Sequence, residues 1–163
     1  MSFPYRIEEL NSRLDRSEFS CGTAALDRYI RERASQDVRR QVSKCFVAVE
    51  TGAVQVAGFY TLAASGLPID LLPADVQRRL PPYSLVPVAR IGRLAVDERH
   101  QGRKLGATLL SDAFLRADRA EMGVFALVVD AKDEAAEAFY LHYGFMLLAP
   151  RQLCLPLATA KKR

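Results

Sequence analysis

The sequence is poor in the residues that build metal centres and disulfide frameworks. Only three of its 163 residues are cysteine and two are histidine. Cys21, Cys45 and Cys154 are odd in number, lie far apart and form no C-x-x-C pair, which predicts reduced thiols in a cytoplasmic protein. His100 and His142 have no metal-ligand spacing to those cysteines, so we expect no structural metal site.

Long apolar runs are also missing. No run approaches the ~20 residues that cross a bilayer, and the opening MSFPYRIEEL lacks the apolar segment of a secretory signal. We therefore expect neither a membrane anchor nor a leader. Half of the residues are apolar and 26% are charged, so we expect residues 1–163 to form a single folded domain.

Basic residues are present in small excess but are unevenly placed. The chain carries 23 Lys and Arg against 19 Asp and Glu, a net charge of +4. Between Arg28 and Lys44 there are six basic residues and two acidic ones, and between Arg78 and Lys104 there are seven and two. Clustered positive charge suggests a polyanionic partner, although solvated helix faces would give the same composition.

Hydrophobic periodicity in the first half of the chain predicts a helix followed by a hairpin. Ser20 is the expected cap of the helix, in which Leu26, Ile30 and Ala34 form one apolar stripe. The hairpin joins two β-rich runs through a turn that contains glycine. A proline-rich excursion over 66–87 follows, with a short helix inside it.

The second half of the chain predicts alternating strands and helices. The expected elements are a long strand over 85–96, a helix over 105–123 that Gly123 ends, a buried strand over 124–131, a helix over 133–144 and two final strands. Together with the first half they predict an α/β (α+β mixed) fold, in which helices flank a mixed sheet.

The stretch DERHQGRKLGATLL (97–110) places two glycines around Arg103 and Lys104, between a strand and a helix. A glycine-rich turn that opens a helix leaves backbone N–H groups available to phosphate, and the helix dipole adds positive charge. The spacing matches neither a Walker A loop nor a dinucleotide-binding fingerprint. Spacing alone leaves two interpretations open, an anion site and an ordinary strand–helix turn.

The segments VARIGRLAVDERHQGRKLGATLL and ALVVDAKDEAAEAFYLHYGF resemble the Gcn5-related N-acetyltransferase (GNAT) superfamily. That family holds the pyrophosphate of acetyl-CoA in a Q/R-x-x-G-x-G/A loop, which matches residues 101–106. Lys104 stands at the first fixed glycine, where a right-handed backbone would tolerate lysine and a positive φ would strain it. The resemblance covers roughly residues 40–157. It implies the GNAT fold, a central twisted mixed β-sheet of about six to seven strands flanked by helices.

The resemblance also implies which residues handle acetyl-CoA. In the family, backbone N–H groups of the central strand polarise the thioester carbonyl. The matching cofactor-binding residues are Leu94, Ala95, Val96, Gln101, Gly102, Arg103, Lys104, Leu105, Gly106 and Ala107. Tyr140 is the candidate general acid for the departing thiolate, because a phenol of pKa about 10 stays protonated at neutral pH. An aromatic packed in the core is the alternative interpretation of this tyrosine.

The N-terminal segment narrows the resemblance. FSCGTAALDRYIRERASQDVRRQVSKCFVAVE (19–50) is similar to the N-terminus of the GNAT toxins of bacterial toxin–antitoxin modules, the TacT/AtaT-like group. The matching residues are Phe19, Cys21, Gly22, Leu26, Asp27, Arg39 and Arg40. The resemblance implies acetylation of the free α-amino group of aminoacyl-tRNA, which blocks translation. It further implies a homodimer and inhibition by a ribbon-helix-helix antitoxin.

The predicted central strand contains no carboxylate that could act as a general base. It carries Arg90 and Arg93, which would repel a protonated lysine of pKa about 10.4. An α-amino group has a pKa of about 7.7–8.0, which esterification lowers further, so much of it is already neutral. Arginines beside such an amine can bind tRNA phosphates. We expect tRNA contacts from Arg31, Arg33, Arg39, Arg40, Arg78, Arg79, Arg90 and Arg93.

Two other functions are compatible with the sequence. A GNAT enzyme could acetylate a small-molecule amine or a protein N-terminus, although the basic windows disfavour a cationic small molecule. The third hypothesis is a non-catalytic nucleic-acid-binding module. Few aromatic residues lie near the basic windows (Tyr29 and Tyr83), which disfavours a stacking platform for single strands.

Overall fold

The computed structural model describes residues 4–161 and contains a seven-stranded sheet. The strands are β1 (Tyr5–Glu9), β2 (Lys44–Glu50), β3 (Val56–Pro68), β4 (Leu85–Val96), β5 (Ala126–Asp130), β6 (Met146–Ala149) and β7 (Gln152–Pro156). The helices are α1 (Ala24–Arg28), α2 (Ala34–Arg39), α3 (Ala74–Gln77), α4 (Leu105–Asp118), α5 (Glu134–His142) and α6 (Leu157–Lys161). The sheet order is β1-β2-β3-β4-β5-β7-β6. This confirms the predicted mixed α/β fold.

The chain divides into two compact units, each with its own apolar core. The first unit comprises Met1–Ala63 and Gly92–Ala113, and the second comprises Ala64–Ile91 and Phe114–Arg163. Ile30, Val47 and Phe59 are fully buried in the core of the first unit. Val88, Val128 and Cys154 lie in the core of the second.

The predicted hairpin is confirmed as the antiparallel pair β2–β3. Cys45 lies opposite Thr61 and Phe46 opposite Tyr60, and Gly52 turns the chain with φ +84°. The positive φ explains the glycine, because other residues rarely adopt this conformation. The strand β1, which is short and pairs antiparallel with β2, was not predicted. Its few residues show no clear alternation of apolar and polar side chains, so the strand is recognised only from its pairing with β2.

The first helix differs from its prediction in two ways. Thr23, not Ser20, is the N-cap of α1, because the Ser20 hydroxyl donates to the Glu98 carboxylate and its backbone N–H donates to Asp97. Between α1 and α2 the chain makes one π-helical turn, Tyr29–Arg33. The predicted apolar stripe holds across this turn, since Ile30 and Ala34 are both fully buried.

The predicted end of α4 at Gly123 is wrong. The helix ends at Asp118, and Gly123 has neither a positive φ nor a capping role. The chain leaves the helix early because Phe125 N–H pairs with the Pro87 carbonyl at 2.8 Å, which brings the next segment into the sheet. Hydrogen bonding to another strand therefore sets the end of α4, which helix periodicity alone predicts too far along the chain.

The two long predicted strands are confirmed as β4 and β5, which pair in parallel. The ladder runs from Val88–Ala126 to Ile91–Val129, and β5 is buried over Ala126–Val129. The last two strands also form as predicted, whereas α6 was not predicted. Within residues 4–161, no helix has both the length and the apolar character to span a bilayer.

Candidate active site

A buried carboxylate fixes the turn that follows β4. Asp97 is 1% exposed and accepts hydrogen bonds from the backbone N–H groups of Ser20 (3.1 Å) and Arg99 (2.9 Å) and from the Arg99 guanidinium (3.0 and 3.2 Å). Burial alone raises the pKa of this carboxyl, but the hydrogen bonds from Arg99 and Ser20 and the Arg99 charge outweigh burial and lower the pKa. Asp97 is therefore ionised at neutral pH and ties the turn to the N-terminal segment.

The Gln101 side chain holds the next part of the loop. Its Nε2 donates to the backbone carbonyl of Val96 at 2.9 Å and to that of Cys21 at 3.2 Å. The amide nitrogen is thus occupied in binding the loop to β4 and to the segment before α1. Only the other polar groups of Gln101 are available to a ligand.

Two residues of the loop have left-handed backbone. Gly102 has φ +81° and Lys104 has φ +63°. A Cβ at Gly102 would meet nothing within 4 Å, so the backbone conformation, and not space, favours glycine there. Of the right-handed and positive-φ conformations expected for Lys104, the residue adopts the positive φ. This backbone strain costs an L-residue about 1–2 kcal/mol.

The two cations of the loop have different surroundings. The Arg103 Nη1 donates to the Tyr5 hydroxyl at 3.3 Å and lies 3.7 Å from the Glu50 carboxylate. The Lys104 side chain is exposed and forms no ion pair within residues 4–161. Both precede α4, a helix of 14 residues, whose first backbone N–H groups and dipole favour an anion. These features favour an anion at the start of α4.

The predicted strand and helix residues of the donor site lie on either side of this loop. The ladder between β4 and β5 ends at Ile91, whereas β4 continues to Val96, which leaves strand edge at Leu94, Ala95 and Val96. An extended amide chain such as pantetheine can pair with a strand edge. After the loop, Leu105 is buried, and Gly106 and Ala107 are half-buried in the first turn of α4.

The two arginines of β4 have different partners. The Arg90 Nη1 is 2.9 Å from the Asp130 carboxylate, and its Nε donates to the Ser65 hydroxyl at 3.3 Å. The Arg93 guanidinium lies over the Tyr29 ring, 3.6 Å from its centroid. Arg90 is therefore paired with a carboxylate, whereas the Arg93 guanidinium lies over an aromatic ring.

Tyr140 has a buried ring and an unbonded hydroxyl. The residue is 5% exposed, and its ring packs edge-to-face on Phe139 and Phe145 with centroids 5.2 and 5.4 Å away. Within residues 4–161 the Tyr140 hydroxyl forms no hydrogen bond. Every fully buried side-chain oxygen of these residues has a hydrogen-bond partner, so the Tyr140 oxygen is not fully buried and reaches solvent. Burial raises the pKa of the phenol. The core interpretation thus describes the ring, and the hydroxyl remains a proton donor.

The other arginines predicted to contact tRNA are exposed and divide between the units. Four of them lie with Arg93 in the first unit, namely Arg31, Arg33, Arg39 and Arg40, and two lie with Arg90 in the second, namely Arg78 and Arg79. Arg79 is paired with Asp75 at 3.6 Å, one helical turn away. Such an exposed pair is weak and does not prevent a phosphate contact.

Three residues that shape the surroundings of the β4 arginines were not predicted as site residues. Asp130 ends a buried parallel strand, and a polar residue at that position is a general signal for a site. Tyr29 and Asp37, whose side chains form a 2.9 Å hydrogen bond, gave no comparable signal. Among residues 4–161, no three His, Cys, Asp or Glu side chains form a group that could bind a metal.

Comparison with known proteins identifies the family of this loop and fold. Residues 41–147 match the model of the acetyltransferase (GNAT) domain. The chain is 40% identical over 164 residues to the tRNA-acetylating toxin of Mycobacterium tuberculosis, which covers 99% of this chain and 95% of that protein.

Solved structures of similar sequence have the same fold. A tyrosine-to-phenylalanine variant of KacT is 27% identical, with a TM-score of 0.92 over 98% of this chain and 99% of its own. AtaT with acetyl-methionyl-tRNAfMet is 28% identical, with a TM-score of 0.88 over 97% and 98%. A variant of AtaT with acetyl-CoA and the C-terminus of the antitoxin AtaR is 25% identical, with a TM-score of 0.82 over 98% of each chain. The chain therefore belongs to the GNAT family of acetyltransferases.

Proposed function

We propose that this protein transfers an acetyl group from acetyl-CoA to the free α-amino group of aminoacyl-tRNA and thereby blocks translation. The observation that carries the proposal is the 40% identity to a tRNA-acetylating toxin over nearly the whole length of both chains. The similarity to AtaT with acetyl-methionyl-tRNAfMet supports tRNA as the acceptor, because a protein of the same fold binds an acetylated aminoacyl-tRNA.

The charges on β4 support an α-amine as the acceptor. The strand offers arginines and no carboxylate, so it has no strong base for an amine of pKa about 10.4. The α-amine of an aminoacyl ester is already largely neutral near pH 7.5 and needs no such base. Positive charge at the same strand attracts tRNA phosphates and repels a cationic lysine side chain.

The loop and the strand edge supply donor binding. We assign the diphosphate to the start of α4, where Arg103 and Lys104 add charge to free backbone N–H groups. Residues 94–96 of β4 hold the pantetheine and direct a backbone N–H toward the thioester oxygen, where negative charge develops. Gly102, with its left-handed backbone and nothing near a Cβ position, allows close approach of the ligand.

Tyr140 then supplies the proton that the leaving group requires. The amine nitrogen forms a bond to the acetyl carbon as the carbon–sulfur bond breaks, and the sulfur departs with the bonding electrons. The Tyr140 hydroxyl donates its proton to this thiolate, the new amide nitrogen releases its extra proton to solvent, and the phenolate takes a proton back from solvent. A raised phenol pKa keeps the donor protonated through the neutral range.

We also propose the remaining properties of a toxin–antitoxin pair for this chain. AtaT binds the C-terminus of an antitoxin, and the basic windows of this chain suit an acidic peptide. The proposed antitoxin belongs to the ribbon-helix-helix class, and the toxin is a homodimer. Its site of action is the cytoplasm, where charged tRNA is found.

Incubation with [14C]acetyl-CoA and total aminoacylated tRNA tests this function directly. We expect label on tRNA, released together with the amino acid by mild alkali, and none on protein.

Tyr140→Phe should reduce transfer by about a hundredfold or more, while its unfolding free energy stays within about 0.5 kcal/mol of the parent because no hydrogen bond is lost. Label only on a protein N-terminus or a small amine would replace the proposed acceptor. Undiminished transfer by the variant would contradict the role of Tyr140.

A further inference from the structure

Arg93 differs from Arg90 in how its charge is held. Within residues 4–161 the Arg93 side chain forms no ion pair or hydrogen bond, and its guanidinium carbon lies over the Tyr29 ring, 3.6 Å from the ring centroid. Its backbone N–H donates to the buried Thr61 hydroxyl at 3.1 Å, which fixes the base of the side chain. A stacked guanidinium uses its face for the ring, so its N–H groups remain available at its edge.

Tyr29 is itself held by a second aromatic ring and through its hydroxyl. The ring is 4% exposed and stacks on Phe59, with centroids 6.2 Å apart and planes 21° apart. The hydroxyl donates to the Asp37 carboxylate at 2.9 Å. Burial and this hydrogen bond raise the pKa of the phenol, so the ring stays a neutral surface for a cation.

The backbone explains why the ring lies there. Tyr29 begins the single π-helical turn between α1 and α2, and π turns inside helices occur frequently at functional sites. The Arg16 guanidinium donates to the Ile30 carbonyl within this turn, at 3.0 Å. A wide turn stabilised from outside thus places an aromatic face under a cation of β4.

We propose that Tyr29 is a positioning residue that orients the Arg93 guanidinium for a bidentate contact with a phosphate of the tRNA acceptor, with Asp37 anchoring the ring. This inference rests on the proposed function, because it names how that acceptor is held. It assigns the phosphate contact on β4 to Arg93, since Arg90 is already paired with Asp130.

The salt dependence of tRNA binding tests the proposal. Binding of total aminoacylated tRNA is measured without acetyl-CoA at several KCl concentrations. Arg93→Gln should flatten the slope of log K against log [KCl] by about 0.7–0.9, the loss of one phosphate contact, and weaken binding by about tenfold or more. Tyr29→Leu should give the same change, and the double variant should lose no more than either single one. Affinity for acetyl-CoA should stay within about twofold.

Conservative variants separate positioning from a general effect on folding. Tyr29→Phe keeps the aromatic face but loses the Asp37 anchor, and should keep more of the parental slope than Tyr29→Leu. Arg93→Lys keeps the charge but not the planar donor pair, and should still lose most of the affinity. This second variant decides the question if Tyr29→Leu does not fold. A parental slope in Arg93→Gln, or parental affinity in Arg93→Lys, would overturn the proposal.

The wild-type protein distinguishes this failure from failure of the proposed function. If wild type binds and acetylates charged tRNA but the variants behave as the parent, only the role of Tyr29 and Arg93 is wrong. If wild type neither binds nor acetylates charged tRNA, the proposed acceptor is wrong and the positioning role falls with it.

Discussion

At the scale of single residues, the turn after β4 depends on a buried charge and on a backbone conformation that is unfavourable for the residue that adopts it. Asp97 is buried and ionised because Arg99 and two backbone N–H groups surround it. Lys104 is held in left-handed backbone where glycine would be unstrained. Both features lie next to the loop that we assign to the diphosphate.

Asp97 should contribute stability that depends on pH. Its pKa is lowered in the folded protein, so its contribution is full above the unfolded value of about 3.9 and is lost as pH falls through the folded value. Asp97→Asn should lower the unfolding free energy by about 1–3 kcal/mol at pH 7. The difference between the two proteins should shrink as the pH falls below about 4.

Denaturant unfolding between pH 7 and pH 3 measures this dependence. Asp75→Asn is the matched control, because Asp75 forms an exposed pair within one helix and should give a small difference at every pH. A difference between wild type and Asp97→Asn that is constant down to pH 3 would show that the charge of Asp97 is not what stabilises the turn.

Lys104 should reveal its strain through two uncharged replacements. Lys104→Gly and Lys104→Ala remove the same charge, but only glycine is unstrained at φ +63°. We expect the glycine variant to be more stable than the alanine variant by about 1 kcal/mol. Both variants should bind acetyl-CoA more weakly than wild type if the ammonium contacts the diphosphate. Equal melting temperatures of the two variants would argue against left-handed backbone at this position.

At the scale of secondary-structure elements, β3 and α4 approach each other closely enough to require glycine. A Cβ on Gly58 would lie 3.0 Å from Leu109 Cδ1 and 3.1 Å from the Ala95 carbonyl oxygen. This oxygen belongs to Ala95 in β4, which is one of the strand residues that we assign to pantetheine. Packing at Gly58 therefore bears directly on the strand segment that we assign to the donor.

Gly58→Ala should consequently destabilise the fold and weaken donor binding. We expect a loss of about 1–3 kcal/mol, because the neighbouring backbone can give way only slightly. Gly123→Ala is the control, since nothing lies within 4 Å of its Cβ position and its φ is not left-handed, so it should be neutral or slightly stabilising. Thermal unfolding and calorimetry with acetyl-CoA would record both effects. Equal stability of the two variants would contradict the close packing.

At the scale of the whole molecule, the distribution of positive charge is the property that we expect to govern tRNA binding. The net charge is only +4, but the exposed arginines predicted to contact tRNA are concentrated in two stretches of sequence. Some other arginines are equally exposed and lie outside them, including Arg13 and Arg119. Position, and not net charge, should therefore decide how strongly each one affects binding.

A pair of double variants separates position from net charge. Arg39→Gln with Arg40→Gln should flatten the salt dependence of tRNA binding by up to about 1.4–1.8, two phosphate contacts. Arg13→Gln with Arg119→Gln removes the same charge and should leave the slope near that of wild type. Similar effects of the two pairs on slope would mean that tRNA responds to overall charge and not to the basic window.

Much of the fold could be predicted because its signals are local. Periodic apolar residues and glycine turns located the β2–β3 hairpin, the long strand β4 and the helices α4 and α5. The errors at Ser20 and Gly123 have a common cause, since both concern boundaries that distant groups set. Asp97 binds the Ser20 backbone, and Pro87 binds Phe125, and neither pairing is visible in the spacing of residues.

The sequence by itself determined the order of elements, the position of the loop that we assign to the diphosphate and the resemblance to GNAT toxins, because motif residues and hydrophobic period are properties of contiguous chain. Tertiary structure alone decided the partners of the arginines. Asp130 reaches Arg90 across 40 residues of sequence because parallel strands place them side by side. Tyr29 reaches Arg93 through a π turn that no pattern predicted, and left-handed backbone at Lys104 arises where the chain must enter α4. These contacts depend on packing between distant segments, which fixes each side chain only after the chain has folded.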